Sequence, residues 1–285
     1  MWWSVVNNSS MSARRALSAA AVAALAAGCA ELGVVGDGTT VSWGPPNEGV
    51  LVDGARLPLE GEGFVVPPRW AARGTQWGAD ELIDTIAHVG RVVSAAHPGS
   101  RLVVGDLSIE GGGKSKHHRS HQTGRDVDLV LFAKTAAGKP IELTEMRRFG
   151  ADGKTVGGGE PLVFDAERTW TVVRALVEAP GPGVANIFIY APLRDLVLDH
   201  ARGSGAPDAI VDLAGQALAQ PSDSAPHDDH MHVRIYCSPD DAGCSDYTWR
   251  APPKKPRPIA DEEDIAAELA ERPRIGSMLH FRARW

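Results

Sequence analysis

The sequence predicts an α+β fold, and three observations predict it. Segments with helical period and segments with strand-like alternation follow one another without the regular strand–helix–strand rhythm of a doubly wound sheet. The helical segments are amphipathic, so each needs a partner surface on one side only. Two strand-like segments, DVDLVLFA at 126–133 and HMHVRIYC at 230–237, place paired aspartates and paired histidines at alternate positions.

Each element has its own signal. Residues 80–96, DELIDTIAHVGRVVSAA, have helical period, with Leu82, Ile83, Ile86 and Val89 on one side. Residues 101–109 read as a strand, and the glycines and polar residues of GGGKSKHHRSHQTG mark a loop. In 126–133, Val127, Leu129 and Leu131 share one face and Asp126 and Asp128 the other, because strand side chains alternate. Residues 165–179 form a second helix, 186–192 a strand, 192–203 a third helix stopped by glycine, and 207–220 a fourth. Residues 230–237 close the domain as a strand, with Met231 and Val233 facing a core and His230, His232 and Arg234 facing away. Trp43, Trp70, Trp77 and Trp170 are expected in the core.

The ends of the chain differ in character. From Met11, an alternative start to Met1, two arginines precede a small apolar run ending in LAAGC. That run is too short to span a bilayer and reads as a signal peptide over 1–29. Its end resembles the lipobox of bacterial lipoproteins, which implies a lipid anchor at Cys29; Ala30 is not the aspartate that signals inner-membrane retention. Residues 30–42 read as a tether, 43–250 as the folded domain, and 251–285 as a Pro- and Lys-rich linker with a tail. Export implies an oxidising compartment, so Cys237 and Cys244 are expected as a disulfide, the alternative being a two-thiolate metal site.

Chemistry concentrates in two clusters, KHHRSHQTGRDVDLVLF at 116–132 and HDDHMHVRIY at 227–236. If their strands are neighbours, imidazoles and carboxylates converge on one surface. Two neutral imidazoles and a carboxylate are what zinc accepts while keeping a fourth position open for water. A further histidine near neutrality can act as general base. Asp126 is either an orienter of a ligand or a buried hydrogen-bonding residue, Asp106 either braces the site or ends a strand, and Arg234 pairs with a substrate carboxylate or an acidic neighbour. With 36 acidic and 29 basic residues the net charge is −7, which argues against a nucleic-acid partner. The chain lacks HExxH, GxSxG and an SxxK with KTG, so a helical zincin or a serine acyl-enzyme is not supported.

SHQTGRDVDL and HDDHMHVRIYC resemble the two signature segments of the penicillin-insensitive murein endopeptidases, zinc enzymes sharing a fold with D-alanyl-D-alanine metallopeptidases and the hedgehog signalling domain. The resemblance extends to LVVGDLSIEGG, GVLVDGARLP and CSPDDAGC. It implies a small central antiparallel sheet with flanking helices and one Zn²⁺ held by His121, Asp128 and His232. His230 would be the non-ligand base, with His227 and His118 steadying the oxyanion or holding substrate; His117 has no counterpart. The implied reaction is attack of a zinc-bound water on the D-alanyl–meso-diaminopimelyl cross-link of peptidoglycan. The implied setting is the periplasm, with lipid anchoring to the outer membrane. A zinc D,D-carboxypeptidase acting on stem peptides and a non-catalytic zinc-binding lipoprotein are the alternatives.

Overall fold

The computed structural model describes residues 38–222 and 224–246. The signal-like run, Cys29 and the tail from residue 251 lie outside the described residues.

In chain order the elements are β1 (Val41–Trp43), β2 (Val50–Val52), β3 (Ala55–Arg56), β4 (Glu60–Gly61), β5 (Phe64–Val65), a short α1 (Pro68–Ala71), β6 (Trp77–Gly78), α2 (Asp80–Ala96) and β7 (Leu102–Val103). There follow β8 (Asp126–Val130), β9 (Ala133–Lys134), β10 (Pro140–Ile141), β11 (Val163–Phe164), α3 (Ala166–Val177), β12 (Val184–Phe188), α4 (Ala191–Gly203), α5 (Asp208–Ala217), β13 (Leu218–Ala219) and β14 (His230–Ile235). The class is α+β: small, mostly antiparallel sheets with packed helices.

Local chemistry explains the helices. α2 carries Asp80 and Glu81 in its first turn, where negative charge opposes the helix dipole. Leu82, Ile83, Ile86, Val89 and Val93 are buried at helical spacing, and the helix stops at His97, the residue before Pro98. Asp165 caps α3 by accepting a hydrogen bond from Arg168 N at 3.3 Å. α2 packs on α3, and α3 on α4 and α5, so the helices share one apolar core with the sheet.

The largest sheet, of four strands, has the order β13–β12–β14–β8. Its β12–β13 pair is parallel and the other two are antiparallel. The β14–β8 register sets His232 opposite Asp128 and Arg234 opposite Asp126. Met231, Val233 and Ile235 point into the helix-covered core with Val127 and Leu129. The opposite face of both strands therefore carries His230, His232, Arg234, Asp126 and Asp128, with Val130 the one apolar residue among them.

Several bounds differ from the sequence expectation for identifiable reasons. The strand expected over 101–109 is regular only at β7. Beyond it the backbone divides its bonds: Gly105 N donates to Asp128 O at 2.8 Å and Asp128 N to Asp106 O at 2.9 Å, while Leu107 N turns to Thr75 O at 2.7 Å. β8 ends at Val130, and Ala133–Lys134 joins a separate sheet with β10 and β11. The fourth helix stops at Ala217 because Leu218 and Ala219 extend to pair with β12. The segment read as a tether contributes Val41 and Ser42 to β1. Trp70 and Trp170 are buried as expected, but Trp43 is 52% exposed, since its hairpin lies at the surface.

Candidate metal centre

The site is assembled from two paired strands and the loop that precedes one of them. β8 supplies Asp126 and Asp128, and β14 supplies His230 and His232. His121 comes from the loop before β8 and has φ 64, in the left-handed region that a non-glycine residue adopts only when its surroundings impose it. Those surroundings are present. Ser108 Oγ donates to His121 O and accepts from Gly124 N at 3.0 Å. Gly124 itself has φ 74, and a Cβ there would lie 2.7 Å from Leu51 Cδ1 and 2.8 Å from Ala79 N, so the turn requires glycine.

Three atoms then meet: His121 Nε2 is 3.3 Å from His232 Nδ1, and each is 3.4 Å from Asp128 Oδ1. The far side of each ring is engaged. His121 Nδ1 lies 3.2 Å from Leu107 O, a pure acceptor, and His232 Nε2 lies 2.7 Å from Asp126 Oδ1. Each ring therefore holds its proton on the far nitrogen and turns a lone pair inward. Both oxygens of Asp128 are buried and make no hydrogen bond among the described residues. Two lone pairs and a carboxylate oxygen facing one another in a buried spot repel unless a cation lies among them. Donors bound at about 2.0–2.1 Å in tetrahedral geometry stand about 3.3–3.4 Å apart, so the trio fits a small divalent ion.

A second grouping shares two of these residues: His118, His121 and Asp128 present ligand atoms within 4.8 Å of one another. Its fit is looser. His118 Nε2 is 2.9 Å from Asp106 Oδ2 and 3.5 Å from Asp128 Oδ2, so it is already bonded to one carboxylate. The tighter trio of His121, Asp128 and His232 is the better cradle, with His118, stacked on His121 at 4.2 Å between ring centres, beside it.

The surrounding groups are poised electrostatically. Burial would raise Asp128, yet the neighbouring imidazoles of His121 and His230 hold it well below the usual carboxylate range. Asp126 is likewise depressed despite burial, by Arg234, whose Nε donates to it at 2.7 Å, and by His232. Asp106 is lowered against its burial by bonds from His118 and Thr75 and by the nearby Arg73 charge. His230 is raised: burial opposes its charge, but Asp128 and the 2.6 Å bond to Asp229 outweigh it. Burial and the neighbouring His230 push His227 down to about 4, and its buried Nδ1 has no partner among the described residues.

A family model described as penicillin-insensitive murein endopeptidase matches residues 42–256. The chain belongs to the penicillin-insensitive murein endopeptidase family. Relatives agree. A penicillin-insensitive murein endopeptidase of Haemophilus influenzae is 26% identical over 268 residues, covering 83% of this chain and 85% of that protein. One from Escherichia coli is 26% identical over 213 residues, covering 73% of this chain and 71% of its own length.

The structure brings His118, His121, Asp128, His227, His230 and His232 together, and leaves His117 exposed on the loop. Asp126 bonds to His232, Asp106 braces His118, and Arg234 pairs with Asp126. Sequence reasoning missed Asp229, which lies against His230, and Arg73 and Thr75, which hold Asp106. Asp229 was within reach as an acidic neighbour of a candidate base; Arg73 and Thr75 carry no local signal. Cys237 and Cys244 are joined, with Cα atoms 5.8 Å apart.

Proposed function

We propose that this chain is an exported zinc metallopeptidase that hydrolyses the D-alanyl–meso-diaminopimelyl cross-links of peptidoglycan. The inward-facing trio of His121 Nε2, His232 Nδ1 and Asp128 Oδ1, spaced 3.3–3.4 Å apart, carries the reading. Family membership supplies the substrate class. Two imidazoles and one carboxylate suit zinc, and the trio leaves a fourth position open. When bound, zinc supplies Lewis acidity toward a carbonyl and lowers the pKa of water toward about 7.

The chain's own residues divide the remaining work. Asp126 fixes the tautomer of His232 through its 2.7 Å contact. Asp229 engages His230 Nδ1, leaving Nε2, 3.6 Å from Asp128 Oδ1, as the atom that takes a proton and later returns it to the leaving amine. His227 is held neutral by burial and keeps Nδ1 unbonded, ready to donate to a developing oxyanion. His118 lines the other side of the cradle. The seven-residue separation of Cys237 and Cys244 makes a small stapled loop, which suits an oxidising compartment. Placement in the periplasm, lipid-anchored to the outer membrane through Cys29, rests on residues 11–29; among the described residues no helix is long and apolar enough to cross a membrane.

Digestion of purified sacculi with and without a chelator, resolved by mass, tests the reading. Cross-linked dimers should become monomers, and the chelator should stop it. Loss of a single terminal alanine instead would make the chain a D,D-carboxypeptidase. His121→Ala should abolish both zinc content and hydrolysis; retained hydrolysis would refute the ligand assignment. Mass spectrometry of the mature N-terminus tests acylation at Cys29.

A further inference from the structure

The loop between β7 and β8 is positive in a chain whose net charge is −7. Within six positions it carries Lys114, Lys116 and Arg119, all exposed, together with exposed His117. Among the described residues, no acidic side chain forms an ion pair with these three cations. Arg73, whose guanidinium binds Asp106, adds a fourth cation 32% exposed, and His117 feels the charge of both Arg73 and Lys116. Glu110 at the start of the loop is the acidic residue nearest in sequence.

This loop is built and anchored. Gly112 has φ 67 and packs so closely that a Cβ would lie 2.2 Å from Gln122 O and 2.4 Å from Leu51 N. Gly113 N donates to Gln122 O at 2.9 Å, and Gln122 Nε2 donates to Asn47 O and Arg119 O at 2.9 Å each. Ser115 Oγ accepts from the backbone N of both His117 and His118 at 3.2 Å. The turn so made stacks His118 on His121, while Lys114, Lys116 and Arg119, within seven residues of His121 in sequence, stay exposed. Holding like charges together on a fixed loop costs free energy, which an anionic ligand would offset.

We propose that this loop docks the carboxylates of murein stem peptides, with Lys114, Lys116 and Arg119 as specificity-determining residues. The inference rests on the murein-peptidase reading and deepens it. Diaminopimelate is a dicarboxylic acid. When one of its amino groups is acylated in a cross-link, an ionised carboxylate remains on the carbon that bears the scissile nitrogen. A cationic rim beside the cradle therefore raises the local concentration of the peptide and orients the anionic side of the bond.

The test uses the full chain, zinc-loaded, and the variant K114E/K116E/R119E, with K114Q/K116Q/R119Q as the milder form should charge reversal impair folding. Binding and turnover are both measured on a cross-linked muropeptide dimer and on the same dimer with its free carboxylates amidated. For the native dimer, KM and Kd should rise about tenfold in the reversal variant, with kcat moving less than about twofold. The gap should shrink at about 0.5 M salt, where charges are screened within a few ångströms. The amidated dimer should bind both proteins alike. Equal Kd values for the native dimer at low salt would overturn the proposal, as would an equal loss on the amidated dimer, or charge dependence confined to anionic phospholipid vesicles. Charge-dependent binding without cleavage would support the docking surface while sinking the hydrolase reading. Cleavage with charge-independent binding would do the reverse.

Discussion

Asp126→Asn tests whether the cradle is set by the tautomer of His232. Asp126 is fully buried, and its Oδ1 receives both the His232 Nε2 and the Arg234 Nε contacts at 2.7 Å. Asparagine keeps the shape and removes the charge. Arg234, 4% exposed, loses its one ion-pair partner among the described residues. Breaking a buried pair costs about 3–5 kcal/mol; the asparagine carbonyl still accepts one bond, so about 3 kcal/mol is expected in the metal-free protein. If the amide nitrogen turns to His232 instead, the ring takes its proton on Nδ1 and loses its inward lone pair. Disturbing such an orienting contact weakens metal binding about 10–100-fold. Urea unfolding of the metal-free chain reads the first quantity, and competition with a chromogenic chelator the second. A variant that folds normally and binds zinc within about twofold of wild type would show that Asp126 does not orient the ligand.

Asp165 supplies a pH test away from the centre. Burial would raise its pKa, but the bonds and charge of Arg168 lower it below the unfolded value of about 3.9. Its contribution is therefore present above about pH 4 and lost as pH falls through the folded value. Asparagine caps as well, so Asp165→Asn should cost about 3 kcal/mol at neutral pH, a gap that closes in acid when melting temperature is followed against pH. Replacing Cys237 and Cys244 by serine should cost about 2–3 kcal/mol for a loop this short, measured against the oxidised wild type in urea. Gly124→Ala must place a Cβ within 2.8 Å of Ala79 N at positive φ, and should lose about 2–4 kcal/mol together with zinc affinity; an unchanged melting temperature would show that the turn yields freely.

Much of the centre is legible because period-two alternation is local. The pattern of 230–235 and 126–130 alone assigns His230, His232, Asp126 and Asp128 to the polar faces of two strands. Their pairing is a long-range fact, and only the resemblance supplied it in advance. The helices are legible for the same local reason, their buried positions recurring at helical spacing. What escaped is what crosses the fold. Residues 101–109 read as one strand, yet beyond Val103 their backbone serves β8 on one side and Thr75 and Trp77 on the other, an arrangement no local period encodes. Arg73 and Thr75 reach Asp106 across thirty-odd residues of sequence, so their role emerges only when the chain is folded.

The facing of His232 and Asp128 across the β14–β8 ladder also limits how the gene can change length. Inserting one codon within β8 ahead of Asp128 would rotate every later side chain to the opposite face and take the carboxylate away from His232. Deleting two would restore the facing but move the remaining aspartate out of step with its imidazole. Natural length variation in this lineage should therefore collect in the turns and the outer loop, while these two strands hold a constant count of residues.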